Sequence, residues 1–267
     1  MKLGGLKCLI TALLGDHLTW NVPLFVFTIC LTVIYFMNIK RKIKPLQPIL
    51  FLIGIWLLYI VIGSPLLTIS YLSFSFHMIQ MSFLFFIVPP LILLGIPTNI
   101  YEKIVAIPYF KKVRKGLLTP KAALIIFAIL FLLYHLPFLL TMISEYPGLQ
   151  KTYLTILFIL AFRMGWPLAS PNPAQRLLAT KRKKYLLQSS IYIMPACMMF
   201  ILSALLAEMG NPFLGQMTGH LCLPAGSTMN VLPAPFNTKY DQMLAGVFMM
   251  GLHKASLMIT SKLEKKC

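Results

Sequence analysis

His77, Met78, Gln80 and Met81 lie close together in one apolar stretch, SFSFHMIQMSFLFFIVPPLILLGIP over residues 73–97. In a helix, His77, Gln80 and Met81 stand at i, i+3 and i+4 and share a face. The rise from His77 to Met81 is about 6 Å at ~1.5 Å per residue, so an imidazole and a thioether there can address one object. Imidazole and thioether donors suit Cu(I), whereas Mg and Ca take carboxylate oxygens. His135, with Pro137 two residues on, offers a second imidazole. Gln80 and Asp241 are candidates to take the free ring N–H of a metal-bound histidine. The candidate metal set is therefore His77, Met78, Met81 and His135, supported by Gln80 and Asp241.

Plainer readings stand beside this one. His77 caps its helix near the headgroups and the methionines fill irregular space. His135 satisfies a carbonyl freed by Pro137, whose missing N–H interrupts the helix. Asp241 caps its own helix, with Gln242 alongside. Met194, Cys197, Met198 and Met199 around Pro195 read as core filler, and Met217, His220, Cys222 and Met229 belong to a Gly- and Pro-rich loop over 210–239.

The elements that must position these groups are membrane helices. The 267-residue chain is 58% hydrophobic and 11% charged, above the apolar share of a soluble domain, and its apolar residues come in long blocks. Seven spans are expected, at roughly 21–38, 47–68, 74–96, 121–143, 152–169, 186–208 and 240–260, forming one all-α membrane domain over residues 1–267. The net charge of +18 sits in short clusters between the blocks, which argues for topology signals and against nucleic acid. Nineteen of the 24 Lys and Arg fall in segments 40–44, 97–121, 170–185 and the C-terminal end. The positive-inside rule then puts the N-terminus outside and the C-terminus in the cytoplasm. In that frame His17, Trp20, His77, Glu208 and Asp241 lie toward the outer side and His135 about 12 Å below it. His253, beside Lys254, is expected to face headgroups near the inner side. The basic run Lys40–Arg41–Lys42 directly after the first apolar block marks that block as a retained helix.

Five cysteines without CxxC or zinc-type spacing argue against a disulfide framework. There is no Gly-rich phosphate loop, HExxH or Ser-His-Asp grouping, so a non-enzymatic role is expected.

The run His77-Met78-Ile79-Gln80-Met81, followed by Val88-Pro89-Pro90-Leu91-Ile92-Leu93-Leu94-Gly95-Ile96-Pro97, resembles the signature of the CtaG family of bacterial cytochrome c oxidase assembly factors. Tyr134-His135-Leu136-Pro137 and Asp241-Gln242-Met243-Leu244-Ala245-Gly246 resemble later motifs of that family, in the same order. The chain departs from the pattern at Met81, where the family often has a second His, and in the fifth span, which here reads Phe162-Arg163-Met164 without one. The resemblance implies a multi-pass protein of the bacterial cell membrane that works with cytochrome c oxidase subunits to make active haem–copper oxidase, with copper as the handled metal. Two other readings remain at this level: a transporter or channel for a metal or small solute, and a haem-binding redox protein using His77 and His135 as axial ligands.

Overall fold

In the computed structural model, residues 19–39, 43–108, 118–206 and 235–267 are described, and among them the chain is helical with no strand. We number the helices α1 (Val22–Asn38), α2 (Leu46–Gly63), α3 (Leu66–Ser70), α4 (Phe74–Gly95), α5 (Thr98–Ala106), α6 (Pro120–Tyr134), α7 (Pro137–Glu145), α8 (Pro147–Ala169), α9 (Ala179–Leu206) and α10 (Lys239–Leu263). Five of them, α2, α4, α8, α9 and α10, are long and apolar enough to cross a membrane. The apolar α1 and α6 are shorter, at 17 and 15 residues.

The bundle is built around α4. Within its apolar window 83% is buried, against 33–44% for the other four long helices, so the others shield it from the surroundings. Its first half packs on α10 and its second half on α2 and α8, while α9 runs along both α10 and α6. Two glycines allow the close approach of α2 and α4. A Cβ on Gly95 would lie 2.3 Å from the Phe51 amide nitrogen, and one on Gly54 would lie 2.7 Å from the Ile92 side chain. The Gly95 carbonyl also accepts from the Tyr35 hydroxyl at 2.7 Å, which brings α1 to the same junction.

Prolines decide where apolar runs stop being single helices. The expected span 47–68 divides at Ser64-Pro65, and the expected span 121–143 divides at Leu136-Pro137. Each residue before proline is extended, with ψ 168° at Ser64 and 133° at Leu136, because the proline ring disfavours helical backbone there. Hydropathy does not register this local geometry. Inside α4 the cost of Pro89-Pro90 is met differently. The helix widens to a π turn over Phe83–Ile87 before the pair. Pro90 has no N–H for the turn before it, and the Phe86 carbonyl accepts from the Ser256 hydroxyl of α10 instead.

At the end of α10 opposite Asp241, Arg182 pairs with Glu264, and Arg176 donates to the Ser170 and Glu264 carbonyls at 2.8 and 3.1 Å. These contacts tie the 170–178 connection to the end of α10.

The Gly95 junction makes a direct prediction. Gly95→Ala forces α2 and α4 apart and lowers stability by about 1–3 kcal/mol, as overpacking does. Gly251→Ala, with nothing within 4 Å of its Cβ, is neutral or slightly stabilising. Thermal unfolding of both variants in detergent checks this, and equal midpoints would contradict the close helix approach.

Candidate metal centre

Asp241 fixes the end of α4 that carries His77. Its carboxylate is fully buried. Oδ1 accepts from the Ser75 amide at 3.1 Å, the Ser73 hydroxyl at 2.9 Å and the Ser75 hydroxyl. Oδ2 accepts from the Phe74 amide at 2.9 Å and the Asn237 amide at 3.0 Å. The first amides of a helix have no partner within it, and the helix dipole favours an anion there. Asp241 thus caps α4, while its own helix is capped by Thr238, whose Oγ1 accepts from the Tyr240 amide at 3.2 Å. This corrects the expectation that Asp241 caps α10. Neither oxygen bonds an imidazole, so Asp241 acts on His77 through the backbone of α4. Asn237, at a φ of 56°, adds a bond from its Nδ2 to the Leu72 carbonyl at 2.8 Å.

One turn on, His77 is 1% exposed and its ring lies between Tyr71 and Tyr134, with centroids 6.0 and 6.2 Å away. The Tyr134 hydroxyl accepts from the Gln150 amide at the start of α8 at 3.3 Å. Tyr134 stands in the Tyr134-His135-Leu136-Pro137 motif, whereas no motif marked Tyr71 or Gln150 beforehand. Tyrosines at the ends of apolar blocks read as interface anchors.

His135 is fully buried against Phe131, Tyr134 and Phe200, with ring centroids 4.5, 5.1 and 5.3 Å away. Its Nδ1 lies 2.6 Å from the Phe131 carbonyl, so Nδ1 carries the proton and donates. That carbonyl would otherwise accept from the His135 amide, which bonds Leu132 instead at the frayed end of α6. The kink reading therefore accounts for one ring nitrogen. It leaves the other: Nε2 is buried with no hydrogen-bond partner, and its lone pair points into the interior. Both imidazoles pack on the Tyr134 ring.

Met78 and Met81 are buried in the same core as Tyr134 and Phe131. Gln80 turns the other way. Its Nε2 donates to the Val61 carbonyl at 3.0 Å and its Oε1 accepts from Ser70 at 2.8 Å, so it joins α4 to α2 and α3. The expected support of a ligand by Gln80 is not the arrangement seen. Two further expectations are settled by position, and a third group falls outside the described residues. His253 does not face headgroups: it is buried, with Nε2 3.2 Å from the Ser189 hydroxyl and its ring 4.6 Å from that of Phe86. The 194–199 patch is divided, with Met194 exposed and Cys197 buried. His17, Glu208, Met217, His220, Cys222 and Met229 lie outside the described residues.

Among the described residues no three His, Cys, Asp or Glu side chains come together as for zinc. His77, His135, Met78 and Met81 are all buried, the two imidazoles against the Tyr134 ring, and the lone pair at His135 Nε2 is the feature that fits a soft monovalent ion. Long apolar helices with their ionisable side chains turned inward, onto helix ends and bared carbonyls, define an integral membrane protein. Residues 25–261, nearly the whole chain, match the cytochrome c oxidase caa3 assembly factor family (Caa3_CtaG), and the chain belongs to it. Neither the curated proteins nor the solved structures hold a match.

The cap gives a test of how the centre is held. Asp241→Asn keeps the shape but loses the charge and places an NH₂ against amides and hydroxyls that all donate. We expect a loss of about 2–4 kcal/mol, in the range for a buried charged acceptor facing several donors. Hydrogen exchange of the Phe74 and Ser75 amides should rise in the variant. Unchanged protection there would mean that Asp241 does not hold this end of α4.

Proposed function

We propose that this chain serves the assembly of a haem–copper cytochrome c oxidase by holding Cu(I) between α4 and α6, with His77, His135, Met81 and Met78 as donors. The family match supports the oxidase as client. The observation that carries the copper reading is His135, whose Nδ1 is committed to a carbonyl and whose Nε2 is buried without a partner. A buried polar atom left unpaired costs on the order of 1–3 kcal/mol, and a metal ion would recover that cost. Copper is cargo in this reading, a soft cation passed on to the oxidase rather than a resident catalyst, and the chain itself is non-catalytic. Deep burial of the donors keeps water and competing thiols away from Cu(I).

We place this centre toward the outer side of the bacterial cell membrane, in a single domain of seven spans with the N-terminus outside. The distribution of Lys and Arg supports that orientation. A transporter is favoured less, because Phe85, Phe86, Phe127 and Phe131 fill the bundle beyond the centre with rings 5.2–6.0 Å apart. A bis-histidine haem is favoured less as well, since both imidazoles pack on the Tyr134 ring, where a macrocycle would need room.

Two outcomes test the proposal. His135→Ala, His77→Ala and Met81→Leu each weaken Cu(I) binding of the detergent-purified protein by at least about tenfold, measured anaerobically by competition with a chromophoric chelator. Each lowers cytochrome c oxidase activity in membranes at normal protein level, and added copper partly rescues Met81→Leu by mass action. Full oxidase activity in the His77→Ala/Met81→Leu double variant would rule this face out. For orientation, a reporter fused after Lys266 is active in the cytoplasm and one inserted near Gly226 is active outside; the reverse pattern refutes an outer centre.

A further inference from the structure

Arg163 lies within α8, about 9 Å by helical rise before Ala169 at its end, in a helix apolar enough to cross a membrane. A guanidinium at such a place is costly and marks a functional candidate. The side chain is partly exposed on the outside of the bundle. Its Nε donates to the Leu118 carbonyl at 2.6 Å, just before α6 begins. That bond uses one of five N–H groups, and among the described residues no carboxylate pairs with the guanidinium. Lys121, in the first turn of α6, is exposed and has no ion pair among the described residues either. The Tyr185 hydroxyl donates to the Met164 carbonyl at 2.7 Å and lies 3.4 Å from the Pro120 carbonyl, so the start of α9 joins the same place. The exposed Lys181 and Lys184 stand in that turn of α9, while Glu264 is taken by Arg182.

An apolar surface rises from these cations toward the middle of the bundle. Ile159 and Ile156 precede Arg163 by four and seven residues, and Ile125 and Ile129 follow Lys121 by four and eight, spacings that put each set on one helix face. All four isoleucines are 42–56% exposed. α6 and α8 pack side by side, tied farther along by the Tyr153 hydroxyl on the Leu130 carbonyl at 2.7 Å. The two stripes run for about 10–12 Å, within the ~15 Å half-thickness of a hydrocarbon core. We propose that this α6–α8 face binds one anionic glycerophospholipid, its phosphodiester on the Arg163 guanidinium and the Lys121 ammonium, an acyl chain along the isoleucines. The planar fork of arginine matches phosphate oxygens two at a time. The surrounding lysines select a headgroup of net negative charge, because a zwitterion brings an ammonium of its own among them. The isoleucine stripes favour a lipid over a free phosphate. In the orientation proposed above this end is cytoplasmic, the side on which anionic lipids set the surface potential. The inference uses neither the copper reading nor its residues.

The test is native mass spectrometry of the full-length protein in detergent, titrated with phosphatidylglycerol, phosphatidylcholine or inorganic phosphate. Wild type retains one phosphatidylglycerol, bound at least about tenfold more tightly than phosphatidylcholine, and retains no inorganic phosphate at the same concentration. Arg163→Gln and Lys121→Gln each weaken phosphatidylglycerol binding by about fivefold. Lys262→Gln, an exposed position on α10 at the same end of the bundle, leaves it unchanged. Equal affinity for the two lipids overturns headgroup recognition, and equal losses in all three variants reduce the effect to net charge and overturn the site. Inorganic phosphate retained as well as phosphatidylglycerol overturns the lipid as ligand. No phosphatidylglycerol retained by wild type refutes the proposal and leaves the face to an acidic partner helix. Arg163→Gln also frees the Leu118 carbonyl; if it does not fold, Lys121→Gln compared with Lys262→Gln decides, and equal binding by those two refutes the site.

Discussion

The buried carboxylate of Asp241 in the first turn of α4 is the contact on which the rest of the bundle depends. In a bilayer every amide and carbonyl must find a partner within the protein, because hydrocarbon offers none. A helix that begins inside the bundle presents unpaired N–H groups where water does not reach them. One residue of α10, distant in sequence, answers the Phe74 and Ser75 amides and two serine hydroxyls at once. This fixes the axial position of α4 against α10. It thereby sets where His77 stands relative to α6, and where Phe86 meets Ser256 and His253 farther along.

The same constraint explains three other interior polar contacts, each to a carbonyl that proline or a helix end has released. His135 answers the Phe131 carbonyl at the break before Pro137, and Ser256 answers the Phe86 carbonyl where Pro90 donates nothing. Gln80 takes the Val61 carbonyl near the break at Ser64-Pro65. Imidazoles have two nitrogens, and backbone repair uses only one. A histidine placed for structural reasons thus leaves a second nitrogen facing the core, and that nitrogen is where chemistry becomes available. The structural and functional readings of His135 are therefore compatible, each belonging to a different atom of one ring.

The helical blocks were legible in the sequence because hydropathy over twenty residues is a strong signal. The ends of the blocks were legible to within a few residues at α1, α4 and α10. The divisions at Ser64 and Leu136 were not, since they depend on one backbone torsion before a proline rather than on composition. For the candidate centre, residue type singled out His77, Met81 and His135, and the structure buries all three. It did not suffice for Asp241 or Gln80. Both are polar residues near the right depth, but which partner each takes depends on helix rotation and on backbone groups that the side-chain pattern does not report. His253 was misplaced for a related reason: Lys254 beside it suggested a headgroup position, yet adjacent residues on a helix point about 100° apart, so one can face lipid while the next faces the core.

Burial sets what any copper held here can do. In the proposed function, a centre whose donors have almost no contact with solvent would exchange its ion only when the helices part. α6 and α7 are joined by the two-residue break His135–Leu136, and Tyr134, at the last position of α6, is tied through Gln150 to the start of α8. Movement of α8 would therefore pull on Tyr134, the ring that both imidazoles share, while α4 stays anchored by Asp241. In the proposed function, a fixed donor on α4 faces a donor on a jointed α6, and such a site would open without losing its geometry on one side.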